Sequence, residues 1–404
     1  MRLLILLAST TMLAACGGAG PQTAGGSAPP GGGVGGGGGG GTGNPHSFVD
    51  PSEVRTYNGI GSSQHLEIAE GGGELYNSNA TTVRNSGVTI SFDPRSAEFT
   101  FSYVDPLASV SITSTFQDPA HRTDFGGNLE PQVGINEFTT PNVRYLETST
   151  ATNGSILPRS PNPFGVNAPN ELNFVLDAEA DAGSGVATTF FYQLPGTETQ
   201  YVSFAGFARN NYTASRDDNG VIIESYKLDR GAFAFGEVTP RDDVPTTGTG
   251  TFSGPMVATM VFNDDLDTVL KSSLFQWIEG RATTNVDFGA NTFNLDLTGT
   301  VFGPQFYDGG GTAHTVANGS TFNASGSGAI DFVQYGGFQG AFDSASFSAP
   351  GADVVLDQRY LSGSSIDGTF FGPAAEEVGG GFRIVGGVPD ERVDIMGAFT
   401  GVRP

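Results

Sequence analysis

The chain has 404 residues, with 42 Asp and Glu against 18 Lys and Arg, which gives a formal net charge of −24 at pH 7. Nucleic-acid recognition surfaces are basic, so this charge argues against a protein that binds DNA or RNA. The single cysteine leaves no intramolecular disulfide and no thiolate metal site. The fold must therefore depend on apolar burial, which a chain of this length can supply.

The N-terminus predicts an exported lipoprotein. Met1–Arg2 is a minimal positive segment, Leu3–Ala8 is unbroken apolar sequence, and Leu13–Cys16 reads Leu-Ala-Ala-Cys. The apolar segment is too short to span a bilayer and is typical of a signal peptide. The four-residue motif matches the bacterial lipobox, so Cys16 is the predicted lipidated N-terminus, and Gly17 in place of an aspartate predicts sorting to the outer membrane. The alternative is an ordinary signal peptide with an incidental cysteine.

A predicted tether, residues 16–45, follows the signal peptide of residues 1–15. Between positions 17 and 43 the chain is almost entirely Gly, Ala, Pro, Ser and Thr. Such a segment cannot bury enough surface to offset its ordering entropy, and as a flexible coil it reaches about 30 Å. We expect it to hold a folded head away from the lipid surface; a neutral spacer is the alternative. No later stretch approaches eighteen consecutive apolar residues, so the lipid is the sole predicted membrane attachment.

The remainder is predicted to be all-β. Apolar and polar residues alternate in Val88–Phe92, Phe99–Tyr103 and Asn294–Leu297, and turn-forming residues bound these runs. Asp264–Ile278 is the best helix candidate, with helix and non-helix equally favoured. The segment Thr239–Pro245 is polar and bounded by prolines, so it predicts a connector between two domains.

A β-hairpin turn is predicted at Asn219–Gly220, because this dipeptide lies between apolar runs. The wider segment Arg216–Gly220 is similar to the start of a calcium loop, but the remaining ligand spacing of such a loop is missing. The hairpin is therefore the favoured interpretation.

From the end of the connector onward, four segments occur in the order and at the spacing of one known family: Val244–Gly254, Gly280–Gly289, Gly368–Phe382 and Ile395–Phe399. The third reads Gly-Thr-Phe-Phe-Gly-Pro-Ala-Ala-Glu-Glu-Val-Gly-Gly-Gly-Phe. The family pattern is Gly-x-Phe-Tyr-Gly-Pro-x-Ala-x-Glu-x-Gly-Gly-x-Phe, from which this chain departs only at Phe371. These segments resemble the β-barrel domain of transferrin-binding protein B and related bacterial surface lipoproteins.

The resemblance implies an all-β chain in two domains. An N-terminal β-rich handle domain would occupy residues 46–240, and a C-terminal eight-stranded antiparallel β-barrel would occupy residues 241–404. Tyr201–Phe207 and Gly231–Gly236 resemble the end of the handle. The barrel motif positions implied to be structural are Gly248, Gly254, Gly372, Pro373, Ala375, Glu377, Gly379, Gly380 and Phe382.

The third segment also predicts a hairpin from its residues alone. Ile366–Phe371 alternates as a strand, and Gly372–Pro373 ends it because proline cannot continue a central ladder. Ala374–Val378 is the predicted turn, and Gly379–Gly381 would permit positive φ or close backbone approach before the next strand. Phe370, Phe382 and Phe399 are expected on buried faces.

No catalytic or metal site is predicted. Glu376 and Glu377 are adjacent acids, but consecutive side chains diverge instead of converging on one substrate atom, and Glu377 is expected to accept hydrogen bonds from backbone donors of its loop. The four histidines lie far apart and lack zinc-type spacing: His46, His65, His121 and His314. The chain also lacks the Gly-x-Ser-x-Gly elbow and the dinucleotide glycine fingerprint. We predict neither an enzyme nor a cofactor.

By resemblance, the function is ligand capture at the outer-membrane surface. Relatives bind iron-loaded transferrin, haemoglobin, haem or complement regulators, so the expected partners are an iron-carrier protein or haem and a TonB-dependent outer-membrane receptor. The alternative is an adhesive or structural lipoprotein on the same scaffold. Trp277 and Phe306–Tyr307 are candidate loop anchors, although Trp277 among Leu274, Phe275 and Ile278 is favoured as core packing.

Overall fold

The computed structural model describes residues 54–68, 74–76, 82–84, 86–93, 96–105, 109–118, 142–151, 183–263, 274–302, 316–349, 352–356, 361–386 and 392–404. The predicted signal peptide, the predicted lipidation site Cys16 and the tether lie outside these residues. Apart from two single-turn 3-10 helices, Arg241–Asp243 and Leu361–Gly363, the regular structure of the described residues is β-strand. The all-β prediction is confirmed. None of the helices found in this part of the chain is long and apolar enough to cross a membrane.

The strands in chain order are β1 (Arg55–Asn58), β2 (Ile60–Ile68), β3 (Glu74–Tyr76), β4 (Val88–Asp93), β5 (Glu98–Asp105), β6 (Val110–Gln117), β7 (Val143–Ala151), β8 (Gly183–Gln193), β9 (Val202–Arg216), β10 (Ile222–Gly236), β11 (Thr249–Asn263), β12 (Leu274–Asp287), β13 (Thr292–Phe302), β14 (Thr321–Asp331), β15 (Gly337–Ala349), β16 (Ala352–Val355), β17 (Ser365–Phe371), β18 (Glu377–Gly386) and β19 (Arg392–Val402).

These strands form three antiparallel sheets. One has the order β1-β4-β5-β6, the second β3-β2-β10-β9-β8-β7, and the third β14-β13-β12-β11-β19-β18-β17-β15-β16. In the third sheet β14 also pairs with β15, which closes eight strands into a barrel and leaves β16 as an addition to β15. The predicted eight-stranded antiparallel barrel is confirmed.

The barrel interior follows from strict alternation along its strands. In β13 the side chains of Phe293, Leu295 and Leu297 are buried while their neighbours in sequence are exposed. Phe370, Phe382 and Phe399 are all fully buried in the barrel core, as predicted. Closure removes the free edges that an open sheet would expose.

The helix considered for Asp264–Ile278 is wrong over residues 274–278, which begin strand β12; residues 264–273 lie outside the described part. Phe275 and Trp277 face the handle, whereas Ile278 belongs to the barrel core. A strand that is buried on both faces is apolar at consecutive positions, so its sequence does not show the period of two.

The first two sheets form a sandwich that provides the handle. Its core contains stacked rings, with centroids 4.5 Å apart for Phe101 and Phe207 and 4.9 Å apart for Phe116 and Phe190. The other face of the six-stranded sheet packs against the outside of the barrel through Phe204 and its neighbours. The six-stranded sheet is therefore a middle layer, buried on both sides.

The predicted turn at Asn219–Gly220 joins β9 and β10, as expected. The Asp217 carboxylate accepts hydrogen bonds from the backbone N–H groups of Asn219 at 2.9 Å and Val221 at 2.8 Å. Gly220 has φ of +81°, which favours glycine. The hairpin interpretation of this segment is confirmed.

Candidate functional site: the handle–barrel junction

The turn of the motif hairpin β17–β18 contacts the chain segment that connects the handle to the barrel. Its turn spans residues 372–375, earlier than predicted, because Gly372 and Ala375 both adopt positive φ, at +87° and +59°. Pro373 is exposed in this turn. The Thr239 hydroxyl donates to the Gly372 carbonyl at 2.7 Å, and the Gly372 N–H donates to the Glu237 carbonyl at 2.9 Å. The turn thus holds the chain that leaves the handle.

Glu377 fastens the barrel to the handle. Its carboxylate is buried and accepts backbone N–H groups from Gln200 at 2.6 Å, Tyr201 at 2.8 Å and Val202 at 3.1 Å. Burial raises the pKa of Glu377, and these three donors oppose that rise. The expectation that Glu377 serves its own loop is wrong; Glu376 does so, by accepting the Ala374 N–H at 2.9 Å. The two carboxylates therefore have separate partners.

The glycines of the motif allow close packing. Gly379, Gly380 and Gly381 lie inside β18 without positive φ, so close approach is the correct one of the two interpretations. A methyl group at Gly381 would lie 2.4 Å from the Cα of Gly61 in the handle. A methyl group at Gly379 would lie 2.7 Å from Val202 Cγ2. Larger side chains would push the two domains apart.

The remaining motif residues serve the barrel itself. Gly248 has φ of +85° immediately before β11. A methyl group at Gly254 would lie 2.5 Å from the Thr400 carbonyl oxygen of the neighbouring strand. Phe382 fills the barrel core.

A buried charge cluster joins β10 of the handle to β18 and β19 of the barrel. The sequence did not predict this cluster. The Arg230 guanidinium lies 3.1 Å from Asp394 Oδ1 and donates to Gln64 Oε1 at 2.8 Å. Gln64 Nε2 donates to Asp394 Oδ2 at 2.9 Å, and Arg383 donates to the same oxygen at 2.8 Å. Arg230 is 0% exposed and Asp394 is 1% exposed.

The electrostatics of this cluster favour the ionised carboxylate. Burial alone would raise the pKa of Asp394, but the charges of Arg383 and Arg230 outweigh it and lower the pKa to about 2. The only local signal was at Asp394, a charged residue between Val393 and Ile395; Arg230 follows Lys227, Leu228 and Asp229 and shows no such signal. A charged residue between apolar ones indicates a buried partner without indicating which one.

A second polar group crosses the same interface beside an aromatic cluster. The Tyr145 hydroxyl of the handle donates to Glu279 Oε1 of the barrel. The indole of Trp277 packs edge-on against the rings of Tyr145 and Phe191, each with centroids 5.5 Å away. Trp277 is therefore junction core, as favoured, and is not a loop anchor. The other candidate anchor, Phe306–Tyr307, lies outside the described residues.

Arg84 adds a third buried contact between the domains. Its Nε donates to the Tyr335 carbonyl at 2.6 Å and its Nη2 to the Gly368 carbonyl at 3.1 Å. Nearby Asp367 is also buried, and burial raises its pKa to about 7 against the opposing charge of Arg84. The junction thus contains one carboxyl group whose ionised form is stabilised, that of Asp394, and one whose ionised form is destabilised, that of Asp367.

Among the described residues, no three His, Cys, Asp or Glu side chains are grouped so that they could hold a metal ion. His65 lies in this part of the chain, where its Nδ1 is 2.6 Å from Asp229 Oδ1 and its Nε2 is 3.4 Å from Glu67 Oε1. The other histidines considered, His46, His121 and His314, lie outside it. His65 belongs to a buried ion-pair cluster of the handle.

Comparison with known proteins agrees with this architecture. Residues 244–403 match the family model described as the C-lobe and N-lobe beta barrels of Tf-binding protein B. The motif Gly368–Phe382 lies inside the matched range. No curated protein matches the chain.

Several solved transferrin-binding protein B structures are similar at low identity. A double mutant of the Haemophilus parasuis protein is 14% identical, with 87% of this chain and 76% of that chain covered and a TM-score of 0.27. The intact Ap-TbpB with N and C lobes is 12% identical, with 87% and 78% covered and a TM-score of 0.26. The isotype 1 protein of Neisseria meningitidis is 11% identical, with 88% and 77% covered and a TM-score of 0.22. The similarity to this family is therefore stated for the barrel region alone, residues 244–403.

Proposed function

Because residues 244–403 of this chain form a transferrin-binding protein B-like barrel, we propose that the protein is a lipid-anchored binding protein of the outer-membrane surface. It captures an iron source, either an iron-carrier protein or haem, and presents it to a TonB-dependent outer-membrane receptor. The barrel match is the observation that carries this proposal. The relatives are named for binding transferrin, and a binding protein requires no catalytic group.

The junction contacts support a rigid head. Glu377 binds three backbone N–H groups of the handle, and the Arg230–Asp394 pair is buried between the two domains. A preorganised surface loses less conformational entropy when it binds a large partner. A rigid head joined to the predicted tether, residues 16–45, suits capture of a macromolecule near a membrane.

The iron proposal predicts specific binding by the purified full-length protein. Iron-loaded transferrin, haemoglobin and haem are the probes, each immobilised or titrated separately, with serum albumin as the control protein. We expect one of the three iron sources to bind at micromolar affinity or tighter, a free energy of about −8 kcal/mol. A strain lacking the gene should then fail to grow when that source supplies the only iron.

The adhesive or structural alternative makes the opposite prediction. If none of the three probes binds, and the deletion strain grows like its parent on every iron source, the iron proposal is wrong. Loss of cell attachment in that strain would then favour the adhesive function.

Anchoring is tested at Cys16. We expect mass spectrometry of the mature protein to show Cys16 as the N-terminal residue with diacylglycerol on its sulfur, and fractionation to place the protein in the outer membrane. Cys16→Ala should abolish the modification, whereas Ser9→Ala, in the same leader, should leave it intact. An unmodified Cys16 in the wild-type protein, or a mature N-terminus elsewhere, would contradict the lipoprotein assignment.

A further inference from the structure

The handle contains a cleft between its two sheets. Its volume is about 340 Å³. The residues that line it come from both sheets and include Ser114 of one sheet and Thr148, Thr188 and Arg209 of the other. A volume of this size lies in the range of small-molecule sites.

The cleft continues the interior of the sandwich, at the point where the inward-facing residues change from aromatic to polar. Successive side chains on one face of a strand are two residues apart. On β8 the inward series runs from Phe190 to Thr188, and on β9 it runs from Phe207 to Arg209. The aromatic core therefore gives way to hydroxyls and a guanidinium, although apolar side chains would fill the same space at lower desolvation cost.

The guanidinium of Arg209 is held in place. Its Nη1 donates to Asp229 Oδ2 at 3.1 Å, and Asp229 Oδ1 is 2.6 Å from His65 Nδ1. Asp229 and His65 are both buried at 2% exposure. Within the described residues, the other guanidinium N–H groups of Arg209 have no side-chain or backbone acceptor. One edge of the fork is thus fixed by a buried carboxylate, and the remaining donors are available to the cleft.

The hydroxyls around Arg209 are also available. Thr188 is buried at 2% exposure, yet in the described part of the chain its hydroxyl has no hydrogen-bond partner. The hydroxyls of Thr148 and Ser114, which also line the cleft, likewise lack a partner there. Hydroxyls both donate and accept, so they complement a ligand that carries hydroxyls of its own.

We propose that this cleft binds a small hydroxylated carboxylate of the sugar-acid class, with the ligand carboxylate on Arg209 and its hydroxyls on Thr188, Thr148 and Ser114. A guanidinium binds a carboxylate through parallel charge-assisted hydrogen bonds. In a chain with a net charge of −24, a site for an anion needs such a local positive group. The proposal is independent of iron capture. The ligand is either a free sugar acid or the sugar-acid end of a glycan.

Calorimetric titration of the purified full-length protein tests the proposal with D-glucuronate, D-glucose and acetate. We expect glucuronate to bind in the millimolar range or tighter, and glucose and acetate to bind about tenfold more weakly or not at all. Methyl β-D-glucuronide distinguishes the two sources: retained binding indicates the end of a glycan, and lost binding indicates the free acid.

Two variants locate the site, and a third provides the control. Arg209→Gln should weaken glucuronate binding about tenfold or more, because it removes the charge that pairs with the carboxylate. Thr188→Val keeps the side-chain shape and should weaken binding severalfold without loss of folding. Arg216→Gln, on the same strand at the exposed hairpin, should leave binding unchanged. No saturable glucuronate binding to the wild type, equal binding of glucose or acetate, or unchanged affinity in folded Arg209→Gln and Thr188→Val would overturn the proposal.

Discussion

Asp394→Asn is expected to lower the free energy of unfolding of the full-length protein by about 3–5 kcal/mol at pH 7. The substitution leaves Arg230, which is 0% exposed, without its charge partner in the middle of the junction. An uncompensated buried charge loses its hydration without gaining a counter-charge, which is why breaking such a pair is costly. Urea unfolding at equilibrium measures the change.

The same variant has a predicted pH dependence. The pKa of Asp394 is lowered to about 2 in the folded protein, below the unfolded value of about 3.9. The stabilising contribution is therefore fully present above about pH 4 and is lost as the pH falls through about 2. The difference in stability between wild type and variant should shrink over that interval.

The matched control is Asp296→Asn, the same substitution at an exposed position of β13. It should change the free energy of unfolding by no more than about 0.5 kcal/mol. If Asp394→Asn is as stable as this control, the buried pair does not hold the handle on the barrel.

Glu377→Gln is expected to destabilise the junction by about 1–3 kcal/mol. The carboxylate offers two acceptor oxygens to three backbone N–H groups, whereas glutamine offers one oxygen and directs an NH₂ group at the remaining donors. At least one buried N–H then loses its acceptor. Hydrogen exchange should show faster exchange at Gln200–Val202, and urea unfolding should give the size of the loss.

Glu376→Gln provides the neighbouring control. Glu376 accepts one N–H from its own turn and does not contact Gln200–Val202 through a hydrogen bond that the structure describes. It should leave the exchange of that segment unchanged. Equal protection of residues 200–202 in wild type and Glu377→Gln would show that the carboxylate does not fasten the two domains.

Local patterns were sufficient for much of this fold. Alternation at Asn294–Leu297 predicted a strand where β13 lies, and Asn219–Gly220 predicted the β9–β10 turn, because each signal depends on residues close in sequence. The order of the four barrel segments, including Gly368–Phe382, gave the closed barrel by resemblance. The sequence of the motif hairpin also predicted that Phe370 is buried, which the structure confirms.

Patterns that depend on two neighbouring layers gave weaker predictions. β12 is apolar at consecutive positions because the barrel core covers one face and the handle covers the other, and this removed the period of two. The motif hairpin was located correctly, but its turn was placed too late. The positive φ of Ala375 is a backbone feature that its residue type does not indicate.

By itself, the sequence determined the strand content, the turn dipeptides and the resemblance of residues 244–403 to a known barrel family. Only the tertiary structure decided that the charges of Arg230 and Asp394 meet, that Glu377 binds the backbone of Gln200–Val202, and that Arg209 faces a cleft lined by hydroxyls. Arg230 and Asp394 are 164 residues apart in the chain. The packing of two sheet faces against each other determines which distant residues form such a pair. The sequence around either residue does not carry that information.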